Sequence, residues 1–142
     1  KRGEDSRIFM CTIGKNKERE IRDEVAKDKI INNPVNNRGV ILTGKGDTLC
    51  YDALTGRYFK SDIEQIRRAI NELGRSMLNH MSITLNDVYY ALGLETTKIG
   101  EMIGWVIDDG LLEPDFSSQL TTDGTPCLVV DFMEQPRYIY QD

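Results

Sequence analysis

Residues 47–81, DTLCYDALTGRYFKSDIEQIRRAINELGRSMLNHM, decide the fold. Two apolar-aromatic runs, Thr48–Tyr51 and Arg57–Lys60, flank the turn Ala53-Leu54-Thr55-Gly56 and read as paired strands. A helix follows at once. Ser61 reads as its N-cap, and Glu64 three residues on completes a capping box. Ile63, Ile66, Ile70, Leu73 and Met77 then recur at three- and four-residue steps, which places them on one stripe that has to be buried. Gly74 weakens this helix by up to about 1 kcal/mol relative to alanine, yet the stripe continues past it.

Upstream, Val40–Thr43 is a further strand candidate joined to Thr48–Tyr51 through Gly44-Lys45-Gly46-Asp47, so the three strands are expected to form a small antiparallel meander. Lys15–Asn32 is rich in good helix formers. Its apolar content is thin (Ile21, Val25, Ile30, Ile31), so this helix either lies loosely on the domain or needs a partner to hold it. Asn33-Pro34 ends it, and the Asn-rich stretch to Gly39 is a linker. Downstream, Thr84-Leu85-Asn86-Asp87 opens a shorter helix that runs to Leu92 and closes at Gly93. Thr96–Ile103 is expected as another. From Gly110 onward strands take over: Leu111–Glu113, Phe116–Leu120 and Cys127–Phe132, the last two paired through Thr122-Asp123-Gly124-Thr125. The expected architecture is α+β. A small antiparallel sheet packs against the long amphipathic helix, with two short helices and an extra N-terminal helix. Residues 1–38 form a basic helix and linker, and residues 39–142 a single domain.

With 39% hydrophobic and 29% charged residues, the composition is that of a globular chain rather than a disordered one. No apolar run approaches the length needed to cross a bilayer. The chain starts at Lys1 with no methionine or leader, which suggests that something precedes it. Cys11, Cys50 and Cys127 show no CxxC spacing; Cys50 and Cys127 lie in apolar strand-like runs and are expected as reduced core thiols. A single histidine and no Cys/His cluster argue against zinc. The net charge of −5 conceals an asymmetry: residues 1–45 carry eleven Lys/Arg against seven Asp/Glu, and the remainder seven against sixteen. A basic leader on an acidic body suits an anionic surface, and equally a solvated helix of mixed charge.

Residues 83–113, ITLNDVYYALGLETTKIGEMIGWVIDDGLLE, scan as helix, glycine turn, second helix and hairpin entry, which is the order of a winged helix. Between Met81 and Phe116, however, Lys98 stands alone against seven acids, and such a charge repels phosphates. Gly44-Lys45-Gly46-Asp47-Thr48 lacks the spacing of a phosphate loop and precedes a strand, so it reads as a turn. His80, at a helix end, has no serine or cysteine partner in a recognised spacing. Asp108, Asp109, Glu113 and Asp115 lack calcium-loop spacing and read as solvated acids. Trp105 reads as a packing residue. Tyr51, Tyr58, Phe59, Tyr138 and Tyr140, with Arg57 and Arg137 interleaved, are of the types that dominate protein interfaces, although ordinary packing explains at least half of them. The tail PRYIYQD is expected either to dock on a sheet edge or to meet a partner.

The strings IGKNKEREIRDEVAKDKI, GDTLCYDALTGRYFKSDIEQIRRAINEL, TLNDVYYALGLETTKIGEMIGW and DGTPCLVVDF, followed by PRY, resemble an uncharacterised family encoded by tailed bacteriophages and prophages of Gram-positive bacteria. The resemblance runs from about Ile13 to Tyr140. It implies membrane-spanning segments ahead of this region, and it carries no assigned activity or catalytic residue. The expectation is therefore a non-enzymatic phage protein: a membrane-tethered or virion-associated interaction domain, with a winged-helix regulatory or nucleic-acid-binding module as the alternative. No cofactor, metal or small-molecule substrate is expected. The partner is another protein or a second copy, with membrane proximity through the upstream segment and nucleic acid disfavoured. The candidate surface is Tyr51, Arg57, Tyr58, Arg137, Tyr138 and Tyr140. The expected location is the infected cell, in cytoplasm, at the membrane or in the virion.

Overall fold

The computed structural model describes the backbone of residues 2–139 and the side chains of residues 14–139 apart from Asn37. The described residues fold as α+β with three α-helices and two sheets. Helix α1 spans Arg2–Asn32, followed by strands β1 (Ile41–Leu42), β2 (Thr48–Asp52) and β3 (Arg57–Ser61). Helix α2 (Ile63–His80), strand β4 (Ser82–Thr84), helix α3 (Leu85–Leu92) and strand β5 (Ile103–Val106) come next. Strands β6 (Pro114–Leu120), β7 (Pro126–Phe132) and β8 (Arg137–Tyr138) complete the chain.

Two of the three predicted hairpins form. β2 pairs antiparallel with β3 from Thr48↔Ser61 to Asp52↔Arg57, and β6 with β7 from Pro114↔Phe132 to Leu120↔Pro126. The sheet is larger than expected and mixed. Its order is β1-β3-β2-β7-β6, and β2 and β7 join the two hairpins by a parallel pairing, Cys50↔Leu128 to Asp52↔Val130. β1 does not hairpin onto β2; it runs parallel to β3 on that strand's outer edge. Leu111–Glu113 is not a strand, since β6 begins at Pro114. A second antiparallel sheet, β4-β5-β8, takes the sequence around Trp105 and the tail. The predicted helix over Thr96–Ile103 is not formed. Only a single 3-10 turn, Ile99–Glu101, precedes β5. Pairing with β4 and β8 draws Ile103–Val106 into extended backbone, and this overrides the local helical spacing.

α2 is capped by Asp62, whose side chain accepts the Glu64 N–H; Ser61 remains in β3, paired with Thr48. The stripe on α2 behaves as its spacing dictates. Ile66, Ile70 and Met77 are buried, with Ile63 and Leu73 packed beside them. α3 starts at Thr84–Asp87 as expected, where the two side chains form a capping box, and it ends on Gly93 at φ 82°, a left-handed conformation that glycine adopts without penalty.

Alternation along the central strands sends side chains to two separate cores. Cys50, Phe59, Leu128, Val130 and Phe132 face α2, α3 and Trp105. Leu49, Tyr51, Tyr58, Cys127 and Val129 face the other way and meet Ala26 and Ile30 of α1. The helix expected either to lie loosely on the domain or to need a partner thus closes the second face of the sheet. A sheet buried on both faces accounts for the near-continuous apolar run of β7, CLVVDF.

Candidate functional site

The junction of α1 with the sheet concentrates the charged contacts. Asp115 on β6 is 7% exposed and sits between two guanidinium groups: Arg19 Nη1 donates to Oδ1 at 2.5 Å and Arg22 Nη1 to Oδ2 at 3.3 Å. Arg19 Nε also donates to Asp23 at 3.1 Å, and Arg22 Nε to Glu18 at 3.1 Å. Asp23 accepts from Ser117 Oγ at 2.8 Å, while its backbone carbonyl accepts from Gln119 Nε2 at 3.1 Å. Lys29 Nζ lies 3.6 Å from Asp131 Oδ2 on β7. The Asp115 hydrogen bond holds the Arg19 pKa above its usual value. Partial burial pulls Arg22 down, but bonds to Glu18 and Asp115 leave it raised. Ile21, Val25, Ala26 and Val129 line a cleft of about 190 Å3 beside these groups.

These residues lie on one face for a simple reason. Arg19, Arg22, Ala26 and Ile30 step by three, four and four along α1, so two cations and two apolar groups share a stripe. That spacing was visible in the sequence; its partner Asp115 was not, because it is ninety-odd residues away.

A second polar cluster closes the β2–β3 turn. Asp52 is buried and accepts the Thr55 hydroxyl; Thr55 Oγ1 in turn accepts from Arg57 Nε at 2.9 Å. Arg57 Nη1 donates to the Glu95 carbonyl at 2.8 Å, and its guanidinium lies 4.6 Å above the Tyr89 ring. The Tyr89 hydroxyl is buried near Asp52 and Thr55 without a hydrogen bond of good geometry. Burial, then the Asp52 charge, pushes its pKa far up.

The six expected interface residues separate. Tyr51 and Tyr58 are buried under α1, ring centroids 4.7 Å apart; Asn33 Nδ2 donates to the Tyr51 hydroxyl, and the Tyr58 hydroxyl donates to the Asn33 carbonyl. Arg57 is held in the turn cluster. Arg137 and Tyr138 are exposed on β8, and Tyr140 lies outside the described residues. The aromatic residue types fit core and interface alike, and only the docking of α1 decides between them. β8 pairs with β5 through Ile103↔Tyr138 and Gly104↔Arg137, so the described part of the tail docks on a sheet edge. A Cβ on Gly104 would stand 2.0 Å from the Ile83 carbonyl oxygen, so this crossing admits only glycine.

The remaining candidates for chemistry have other neighbours. His80 Nδ1 contacts the Ser76 carbonyl at 3.0 Å on the exposed end of α2. Burial, then proximity to Cys127, pushes the Cys50 thiol up to about 12; burial pushes Cys127 up to about 11. Neither carries an appreciable thiolate near neutral pH. Asp115 is committed to its two arginines, whereas Asp108, Asp109 and Glu113 are exposed. No group of three His, Cys, Asp or Glu side chains is placed to hold a metal ion among the described residues. Nor is any helix there long and apolar enough to cross a membrane.

Fold and site together define an α+β domain whose charged groups fasten one helix across a two-faced sheet. The chain belongs to a family of unknown function (DUF6353), which it matches over residues 9–141. No curated protein and no solved structure matches it.

Proposed function

We propose that this chain is a non-catalytic protein-interaction domain of a phage protein, tethered to a membrane or associated with the virion through what precedes it. The observation that carries the reading is the use of the reactive side chains. The buried carboxylates Asp52 and Asp115 are taken up by Thr55 and by the two arginines, and the described cysteines are packing thiols with raised pKa values. Exposed residues of contact type include Arg137 and Tyr138 on β8, next to Met102, whose carbonyl accepts the Ile139 N–H. Tyr138, 56% exposed, borders a groove of about 310 Å3 with Gly104, Val106, Asp109 and Ile139. The winged-helix alternative has less support, because the segment that would enter a groove of DNA is a single 3-10 turn.

The test is capture of a binding partner by cross-linking in cells that make the full-length protein, comparing the native chain with Arg137→Ala/Tyr138→Ala. The double variant is expected to lose the partner and keep its melting temperature. Turnover of a substrate, abolished by one substitution at Asp52, Arg57 or Tyr89, would contradict the reading.

A further inference from the structure

We infer that α1 from Arg19 to Asn32 is a releasable strap, and that the sheet face beneath it is a helix acceptor site that also takes the same helix of a second copy of this chain. Four observations converge on this. Among the described residues, α1 commits only two buried apolar side chains to the sheet, Ala26 and Ile30, while Ile21, Val25 and Ile31 stay largely in solvent. Its other attachments are the ion pairs of Arg19 and Arg22 with Asp115 and of Lys29 with Asp131, together with the polar contacts of Asp23 and Asn33. The cationic partners are a quarter to two-fifths exposed (42%, 27% and 36%), so added salt weakens the latch, whereas burial on the opposite face of the sheet is unaffected. The connection to β1 holds Asn33, Pro34, Asn36, Arg38 and Gly39 exposed, with Val35 half-buried against the second core, and turning it as a hinge breaks no sheet pairing.

The occupant follows from charge. Lifting α1 uncovers Leu49, Tyr51, Tyr58, Cys127 and Val129, with Asp115 and Asp131 at the rim. Such a face recognises a helix with two cations three residues apart, then a small residue, then a lysine beside an aliphatic residue. Arg19, Arg22, Ala26, Lys29 and Ile30 supply that pattern. A second copy offers the same stripe, and a reciprocal exchange of α1 reproduces every contact in trans, so the exchanged dimer forms at little cost in contacts. This deepens the interaction reading by naming a site and a partner, and it fails separately, because the β8 surface plays no part in it.

The test uses the native chain in two arms. In hydrogen exchange, amides of residues 24–32 are expected to exchange at least about tenfold faster than those of residues 66–77, with the gap widening as salt rises. Equal rates at every salt concentration would overturn the strap. In the second arm, isotope-labelled and unlabelled chains are mixed at high concentration in roughly 0.5 M salt, returned to low salt, and joined by a zero-length carbodiimide between Lys29 and Asp131. Mixed-isotope Lys29–Asp131 peptides in a dimer fraction are expected. Same-isotope peptides alone would overturn the exchange. Asp115→Asn controls for the latch: faster exchange in residues 24–32 with residues 66–77 unchanged supports it, and a uniform change across both helices contradicts it.

Discussion

The two faces of the central sheet are covered by different physics. On one side Ile66, Ile70 and Met77 of α2 and Val88, Tyr89 and Leu92 of α3 close over Phe59, Val130 and Phe132 with little polar contribution. On the other, among the described side chains of α1, two buried apolar groups and a rim of charges do the fastening. Full burial of an aliphatic side chain stabilises by about 1.5–3 kcal/mol, whereas an exposed ion pair contributes about 1 kcal/mol or less. The first face therefore sets the global stability, and the second sets what the domain can uncover. A single sheet can serve as both foundation and docking platform when its strands alternate between the two.

The sharpest way to break this contrast is at Phe132, whose ring is tilted against Trp105 with centroids 4.8 Å apart. Phe132→Ala is expected to cost about 3–5 kcal/mol in denaturant unfolding. Ile30→Ala, although equally buried, should leave the unfolding midpoint of Trp105 emission almost unmoved, because its loss falls on the release of α1. A large shift in that midpoint would merge the two faces into one unit. Next in size, Asp115→Asn removes the charge between Arg19 and Arg22 and is expected to weaken α1 docking by about 2 kcal/mol, read as faster exchange of α1 amides only.

The cysteines compare the faces within one molecule. Cys127 lies under α1 and Cys50 under α2 and α3. Alkylation near neutral pH should modify Cys127 before Cys50, and salt should accelerate Cys127 but not Cys50; faster modification of Cys50 would reverse the assignment. Both thiols are held above the ordinary value of 9.0, at about 12 for Cys50 and about 11 for Cys127. Unfolded chains therefore lose these protons first, and stability should fall as pH rises from about 9 toward 12. A rise over that range would contradict the burial of these groups. The smallest effect is expected at Gly74, where a Cβ meets nothing within 4 Å. Gly74→Ala should stabilise by up to about 1 kcal/mol, visible in the Trp105 transition.

Local signals were legible in the sequence and long-range ones were not. The α2 stripe, the helix start at Thr84–Asp87, Gly93 and the two hairpins that form each rest on residues within a few positions of one another. The parallel junction of β2 with β7 joins Cys50 to Leu128 and leaves no local trace. Ser61 and Asp62 are both good caps, and only the pairing of Ser61 with Thr48 decides between them. Thr96–Ile103 carries helical spacing, but β4 and β8 recruit its end as a strand. For the site, the two arginines, Ala26 and Ile30 on one face of α1 were there to be read. Tyr51 and Tyr58 were misplaced because their burial depends on that helix. The thin apolar content of α1 was the legible clue, since it left two outcomes open, and charge supplies what apolar area does not.

Unfolding followed by two signals tests the division of the faces most directly. Trp105 emission reports the α2–α3 face, and far-ultraviolet circular dichroism is weighted toward α1, which has 31 helical residues against 18 and 8 in the other helices. A released helix of this kind is marginal in water, so its signal should decay with release. The helix signal is predicted to fall at a lower denaturant concentration than Trp105 emission, with the separation growing as salt is added. Transitions that coincide at every salt concentration would contradict the account.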